Sequence, residues 1–169
     1  MKKIVFLFVV MSIAVTSKGQ EPVLAGFNLE LKSLYGIEQH GMTPMTLNMQ
    51  LSYEFANRWN LIGSIERNHT QFDVDGAKWY ANALSTGGGL SYAWHDGAYD
   101  RFDLRLMVLK TLGSPDWKHT TFDIGTNWYG KNSKIGVAPT LGIGFRYQKS
   151  NTTGIRNWMG VYATIGIRF

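Results

Sequence analysis

Residues 45–55 read MTLNMQLSYEF, and apolar and polar side chains alternate through the whole stretch. The apolar side chains stand two residues apart, at Met45, Leu47, Met49, Leu51, Tyr53 and Phe55. Successive side chains of a β-strand point to opposite faces, so these residues would share one face and the intervening polar residues the other. A period of two sustained over this length predicts a β-strand with one apolar and one polar face.

The same alternation recurs along the rest of the chain from residue 26 onward. Seven further runs show it: 27–35, 59–67, 80–94, 101–111, 120–129, 135–147 and 157–169. No stretch in this region has the i, i+3, i+4, i+7 apolar spacing of an amphipathic helix. The sequence therefore predicts an all-β fold of eight antiparallel strands, an even number that suits an up-and-down barrel.

Length and composition exclude several classes of protein. A chain of 169 residues is long enough for one domain. Only 17% of the residues are charged, while 44% are hydrophobic and 14% aromatic, which excludes a disordered tail and a coiled coil. The absence of cysteine excludes a disulfide scaffold, a cysteine zinc site and a cysteine nucleophile.

The N-terminal segment has the pattern of a secretory signal peptide. Lys2 and Lys3 precede an apolar run over 4–15, which is too short to span a bilayer, and small residues follow at Ser17 and Gly19. We expect cleavage near Gly19, which gives a signal peptide over 1–19 and a barrel domain over 20–169.

Cleavage also lowers the net charge. The formal charge is +5, from 17 basic and 12 acidic residues. The signal peptide takes away three lysines and no acids, so the remainder has 14 basic residues and a net charge of +2. So small an excess weighs against a nucleic-acid partner.

The distribution of aromatic residues indicates which face of the sheet points outward. One set at strand ends comprises Phe27, Phe55, Trp59, Tyr92, Trp94, Phe102, Trp128 and Phe169. The other comprises Tyr35, Trp79, Tyr80, Trp117, Tyr147 and Trp158. Two such bands are typical of the interfacial girdles of a transmembrane barrel. The polar faces are also rich in Gly, Ser, Thr and Asn and poor in Lys, unlike solvated faces. A periplasmic β-sandwich or lipocalin-like carrier is the soluble alternative.

If the apolar faces point outward, the charged residues of the polar faces lie inside the barrel. They are Glu30, Lys32, Glu54, Glu66, Asp103, Arg105, Asp123, Arg146 and Arg168. An eight-stranded barrel is just wide enough to be filled by its own side chains. We therefore expect a salt-bridged network that fills the interior, with a narrow channel as the alternative.

The connections between the runs differ in length. Those after the first, third, fifth and seventh runs cover roughly 36–44, 68–78, 112–119 and 148–156, whereas the intervening ones are shorter. Outer-membrane barrels have long external loops and short periplasmic turns. The four longer segments are accordingly predicted to be external and to form the contact surface for an unknown surface partner.

The signal peptide, the eight alternating runs and the last strand together resemble the small outer-membrane barrels typified by OmpA and OmpX. The resemblance implies a Gram-negative outer-membrane location, surrounding outer-membrane lipid and a structural or surface-interaction role. In that family the barrel-assembly machinery recognises a C-terminal aromatic residue that is preceded by alternating apolar residues. Here Phe169 matches that position, with Ile167 and Ile165 before it.

Some barrels of this kind modify the acyl chains of lipid A, so the histidines are candidate catalytic residues. They are His40, His69, His95 and His119. Acyl transfer needs a nucleophile beside a base. His119 is followed by Thr120 and Thr121, not by the serine of a deacylase pattern, and a palmitoyltransferase-like set of His40 with Ser114 and Asp116 would need chance proximity across loops. A non-enzymatic role without cofactor or metal is therefore the favoured prediction.

Pro139 lies inside the seventh run, over 135–147. Proline has no backbone N–H and cannot donate to a neighbouring strand. In the middle of a strand it marks a bulge or a local break in pairing. The sequence thus predicts an irregularity at Pro139.

Overall fold

The computed structural model describes residues 26–74, 76–131 and 136–169. The eight strands are β1 (Phe27–Gly36), β2 (Met42–Ala56), β3 (Trp59–Val74), β4 (Ala77–Asp96), β5 (Asp100–Leu112), β6 (His119–Gly130), β7 (Ala138–Ser150) and β8 (Trp158–Arg168). Within these ranges no helix is long and apolar enough to cross a membrane. The predicted signal peptide over 1–19 lies outside the described residues.

The eight strands form one closed barrel. Each strand pairs antiparallel with the next one along the chain, and β8 pairs with β1 from Arg168 opposite Glu30 to Tyr162 opposite Gly36. Closure removes the two edge strands and gives their backbone groups partners. The predicted all-β, eight-stranded antiparallel up-and-down barrel is confirmed.

The connections lie at two ends of the barrel. We call the end with 37–41, 75–76, 113–118 and 151–157 the loop end. The opposite end, where β1 begins and β8 finishes, carries the other three connections and is called the terminal end. Those three are 57–58, 97–99 and 131–137.

The prediction of the longest loop, over 68–78, is wrong. The segment 68–78 is mostly strand, because β3 continues to Val74 and β4 begins at Ala77. Asn68, His69 and Thr70 are polar on both faces of β3, which hides the period of two from the sequence. Without a long loop there, the connections at the two ends are similar in length, and loop length no longer orients the barrel.

Alternation sets the two faces of the wall as the sequence predicts. On β2, Leu47 and Leu51 are 62% and 46% exposed, whereas Asn48 and Gln50 between them are 4% and 2% exposed. The apolar side chains therefore cover the outer surface, and the polar ones point into the barrel.

Aromatic pairs surround the outer surface at the terminal end. The ring centroids of Trp59 and Tyr92 lie 5.0 Å apart, and those of Trp94 and Phe102 lie 5.1 Å apart. These rings come from the neighbouring strands β3, β4 and β5, so they form an aromatic surface at the terminal end. Such a band is the arrangement that an interfacial girdle requires.

The aromatic set predicted for the loop end divides into two groups. Tyr35 and Tyr80 point outward, but Trp117 and Trp158 are buried inside the barrel. Together with Met42, Phe72 and Ala81, these two tryptophans form an apolar cluster that we call the aromatic cap. Trp158 shares the inward parity of Gly160 and Tyr162 on β8, and inward side chains of an eight-stranded barrel fill its interior.

Pro139 causes no bulge, so the predicted irregularity is wrong. It is the second residue of β7, and its pairing with Ile167 belongs to an uninterrupted register between β7 and β8. On the other side, pairing with β6 ends at Thr140, so no donor is required from residue 139 there. Residues near the first position of a strand tolerate proline. The predicted beginning of this run at 135 falls outside the described residues.

Candidate functional site: the barrel interior

All nine charged residues predicted to face inward occupy inward positions of their strands. Seven of them are buried: Glu30, Lys32, Glu66, Asp103, Arg105, Asp123 and Arg146. Glu54 and Arg168 lie closer to the terminal end and are partly exposed. A buried charge is stable only where an opposite charge and hydrogen bonds compensate it. The ion pairs and hydrogen bonds among these side chains therefore determine whether their burial is stable.

A single arginine links opposite walls of the barrel. Arg146 on β7 donates from its two terminal nitrogens to the two carboxylate oxygens of Glu66 on β3, at 3.1 and 3.0 Å. Its Nε also donates to Asp123 Oδ2 at 2.8 Å. In a ring of eight strands, β3 and β7 are four strands apart in either direction. The bidentate pair therefore crosses the lumen from wall to wall.

Tyr162 extends this bridge to a second arginine. Its hydroxyl donates to Asp123 Oδ1 at 2.9 Å and accepts from Arg105 Nη2 at 3.0 Å. Space for the ring comes from glycines on β6 and β7, since a Cβ on Gly144 would lie 2.5 Å from Cζ of the Tyr162 ring and one on Gly125 would lie 2.6 Å from its hydroxyl. Asp123 thus holds two guanidinium groups and one phenol in a compact centre, in which Arg105 Nε lies 3.6 Å from Asp123 Oδ1 and makes no hydrogen bond.

Gln50 joins this centre to the ion pair formed by Lys32 and Glu30. Its Oε1 accepts from Arg105 Nη1 at 3.3 Å and from Lys32 Nζ at 2.5 Å. Lys32 Nζ also lies 2.6 Å from Glu30 Oε2. The hydrogen bonds consequently run without a break from Glu30 through Lys32, Gln50 and Arg105 towards the Arg146 bridge.

A second group lies towards the terminal end and joins the first where the Tyr129 hydroxyl donates to Glu30 Oε2 at 3.4 Å. Arg101 donates from Nε to Asp103 at 2.7 Å and from Nη1 to Glu54 at 3.1 Å. The guanidinium of Arg168 lies over the ring of Tyr129, 4.6 Å from its centroid. Sequence reasoning missed Arg101, although it has the same parity as Asp103 and Arg105, and parity alone was enough to find it.

The lumen also contains apolar side chains that the polar pattern did not indicate. Ile62, Met107 and Leu109 form a buried cluster. Met107 and Leu109 on β5 stand opposite two inward glycines of β4, Gly89 and Gly87. Large residues beside glycines fill the interior as alternating large and small residues do in a packed core. With the aromatic cap, this cluster makes the barrel interior partly apolar.

The histidines are dispersed over the barrel. His69 contacts Asn82 on the outer wall at 2.8 Å, His95 contacts Asp100 at the terminal end at 3.2 Å, and His119 lies inside, 3.2 Å from Gln148. No hydrogen bond joins His40 to Ser114 or Asp116. Among the described residues, no histidine ring contacts both a hydroxyl and a carboxylate, and no three potential metal ligands cluster.

The three residues matched to an assembly signal lie on the outer surface of the last strand. Ile165, Ile167 and Phe169 are 64%, 40% and 42% exposed. The backbone N–H of Phe169 donates to Leu29 O at 2.8 Å, and the N–H of Leu29 donates back to Phe169 O at 3.3 Å. Phe169 therefore closes the seam between β8 and β1 at the terminal end.

A closed wall of eight strands, an apolar outer surface and a cross-linked polar interior define a β-barrel of the transmembrane type. The chain has the fold of the small eight-stranded outer-membrane barrels. No protein-family model matches the chain, and no curated protein matches its sequence.

Solved structures share this fold at low sequence identity. Neisserial surface protein A is similar at a TM-score of 0.60 and 15% identity, over 85% of this chain and 96% of that one. The N-terminal β-barrel domain of Pseudomonas aeruginosa OprF is similar at a TM-score of 0.50 and 12% identity, over 84% of this chain and 97% of that one. At these identities the likeness establishes the fold alone.

Proposed function

We propose that the chain spans the outer membrane of a Gram-negative cell as a closed, non-conducting barrel. It would have a structural or surface-contact role, with outer-membrane lipid around its wall. The apolar outer surface supports this placement, since large side chains such as Ile143 and Leu106 are 66% and 54% exposed on the wall itself. Closure supports it as well, because unpaired backbone groups in hydrocarbon cost several kcal/mol each.

The wall-to-wall bridge between Arg146 and Glu66 is the observation that favours a filled barrel over a narrow channel. Both side chains are buried, at 3% and 0% exposed, and they obstruct the lumen at its centre. The aromatic cap closes it again towards the loop end. An ion would have to displace a bidentate, charge-assisted pair to pass.

The loop end supplies a surface on which a partner can bind. A pocket of about 390 Å³ opens there between the connections 37–41 and 151–157 and the adjoining ends of β3 and β4, lined in part by His40, Asp73, Trp79 and Arg156. The four side chains combine an aromatic face with both signs of charge. In this proposal the loop end faces the cell exterior, and the pocket lies on the contact surface for the surface partner.

Export and assembly complete the proposal. The signal peptide over 1–19 directs the chain across the inner membrane and is removed near Gly19. The barrel-assembly machinery then binds the last strand through Phe169, with Ile165 and Ile167 before it. The outward position of all three side chains on β8 supports this role, because an assembly factor would have to contact them from outside the barrel.

In planar bilayers the full barrel is expected to show no stable unitary conductance, because the Arg146–Glu66 bridge and the aromatic cap obstruct the lumen. Current recordings in concentrated potassium chloride measure this directly. Reproducible current steps that scale with salt concentration would contradict the filled barrel and favour the narrow channel.

The absence of current in such a recording is informative only if the barrel has inserted into the bilayer. Heat-modifiable gel mobility, in which the unboiled barrel migrates differently from the boiled chain, provides that control. A carbonate wash of cell envelopes separates the alternatives further. Release without detergent would indicate a periplasmic carrier, whereas retention supports a membrane barrel.

A further inference from the structure

Arg67 is a charged residue on the outer wall of the barrel. It lies on β3 with Leu47 of β2 on one side and Leu84 of β4 on the other. Its side chain is exposed and forms no hydrogen bond or ion pair with any residue that the structure describes. Within the described part of the chain, the guanidinium is therefore left without a counter-charge.

The position of Arg67 along β3 is informative. From the terminal end, the outward positions of this strand run Leu61, Gly63 and Ile65, and Arg67 is the first charged residue among them. An arginine on the lipid face of a barrel costs about 2–4 kcal/mol at the midplane and about 0–1 kcal/mol near the interface. On β3, Arg67 thus lies directly above the last outward apolar residue, where an anionic lipid headgroup can offset that cost.

A long groove runs down the outer wall beside Arg67. Two adjoining depressions, of about 580 and 520 Å³, share the same four lining residues: Ser33, Leu47, Arg67 and Ile165. Ser33 is a small residue between Leu31 and Tyr35 on the outward face of β1, and its size creates the depth of the groove. Towards the loop end, the lining continues through Tyr35, Met45, His69 and Asn82. Towards the terminal end it continues through Leu31, Met49, Ile65 and Ile167.

Arg67 lies where the two depressions meet, and the polar side chains of His69 and Asn82 lie on its loop-end side. Asn82 Oδ1 contacts His69 Nδ1 at 2.8 Å, which leaves the amide nitrogen of Asn82 as a donor beside Arg67. No acidic residue lines either depression. The groove thus offers a positive charge at its middle, polar donors on the loop-end side of that charge and an apolar channel on the other side, which complements a phosphate attached to an acyl chain.

We infer that this groove binds one anionic lipid, with an acyl chain along Ser33 and Ile165 and the phosphate on Arg67. The inference rests on the proposed membrane-spanning function and adds to it a defined lipid site. Guanidinium and phosphate form bidentate, charge-assisted hydrogen bonds, which distinguishes this site from the general contact of lipid with the wall.

Native mass spectrometry of the full barrel tests the site, with phosphatidylglycerol and diacylglycerol, which lacks a phosphate, as the lipids offered to the purified protein. We expect one phosphatidylglycerol to be retained about tenfold more strongly than diacylglycerol, the discrimination that one charge-assisted hydrogen bond provides. Arg67→Gln should remove this preference. Ser33→Leu should weaken retention of both lipids, because it fills the groove while leaving Arg67 intact.

Lys110→Gln is the matched control. Lys110 is also an exposed outward cation, on β5, but lines neither depression, so its replacement should leave retention unchanged. Equal retention of the two lipids, no effect of Arg67→Gln and Ser33→Leu, or an equal loss with Lys110→Gln would each overturn the inference. Heat-modifiable mobility separates the two levels of failure: a chain that never inserts overturns the proposed function as well, whereas an inserted barrel without lipid preference overturns the lipid site alone.

Discussion

Replacing Arg146 by methionine is expected to destabilise the barrel by about 3–5 kcal/mol, because the change leaves buried carboxylates without their main counter-charge. Arg146 makes two hydrogen bonds to Glu66 and one to Asp123, and all three side chains are at most 4% exposed. Methionine retains much of the volume of arginine, so the loss reflects charge and hydrogen bonding more than packing. Urea titration of the barrel in detergent micelles measures the free energy of unfolding.

Two further variants identify the cause. Lys149→Met removes an exposed cation near the loop end of the same strand, and surface changes of this kind alter stability by about 0.5 kcal/mol or less. Glu66→Met combined with Arg146→Met removes both members of the pair and should recover part of the loss, because apolar replacement of a whole buried pair is often neutral. Equal stability of Arg146→Met and wild type would show that the bridge contributes nothing to the barrel.

The alternating pattern was sufficient to predict the barrel because each position of a strand has only two possible directions. The run from Met45 to Phe55 assigns every side chain to one face, and a closed barrel turns the same face outward in all eight strands. The predicted inward positions of Glu66, Asp123 and Arg146 follow from that rule alone.

Pairing across the lumen could not be predicted in the same way. Parity places Arg146 and Glu66 inside, but their contact depends on β3 and β7 standing on opposite sides of a ring of eight strands and on their relative height. Height follows from register and tilt, which a single strand's sequence does not contain. Tyr162 was missed for a related reason, since its hydroxyl reaches Asp123 only over the glycines of β6 and β7.

The aromatic cap shows a second limit of sequence reasoning. A tryptophan near a strand end can lie at a membrane interface or fill the barrel interior, because its ring is apolar and its N–H can donate a hydrogen bond in either place. Strand membership decides between them, since Trp158 is the first residue of β8 and has the inward parity of Gly160 and Tyr162. Sequence patterns locate strand boundaries only to within a few residues, and parity assigns a face only to residues inside the strand.

An arginine placed in the middle of the outer wall should be costly if the wall lies in lipid. Ile143 on β7 is 66% exposed and is flanked by Thr126 of β6 and Ala163 of β8. For Ile143→Arg we expect a loss of about 2–4 kcal/mol in the free energy of unfolding from phospholipid vesicles, the cost of that side chain near the bilayer midplane. Urea titration of the vesicle-inserted barrel provides the measurement.

The depth dependence of this cost separates the membrane barrel from the soluble carrier. Met159, the first outward residue of β8 at the loop end, is 48% exposed and stands opposite Tyr147. Near the interface Met159→Arg should cost only about 0–1 kcal/mol. A soluble protein exposes both positions to water, so both arginines would alter its stability by about 0.5 kcal/mol or less. A large penalty at residue 143 and a small one at residue 159 requires a hydrocarbon layer around the middle of the wall, whereas two small penalties would contradict membrane insertion.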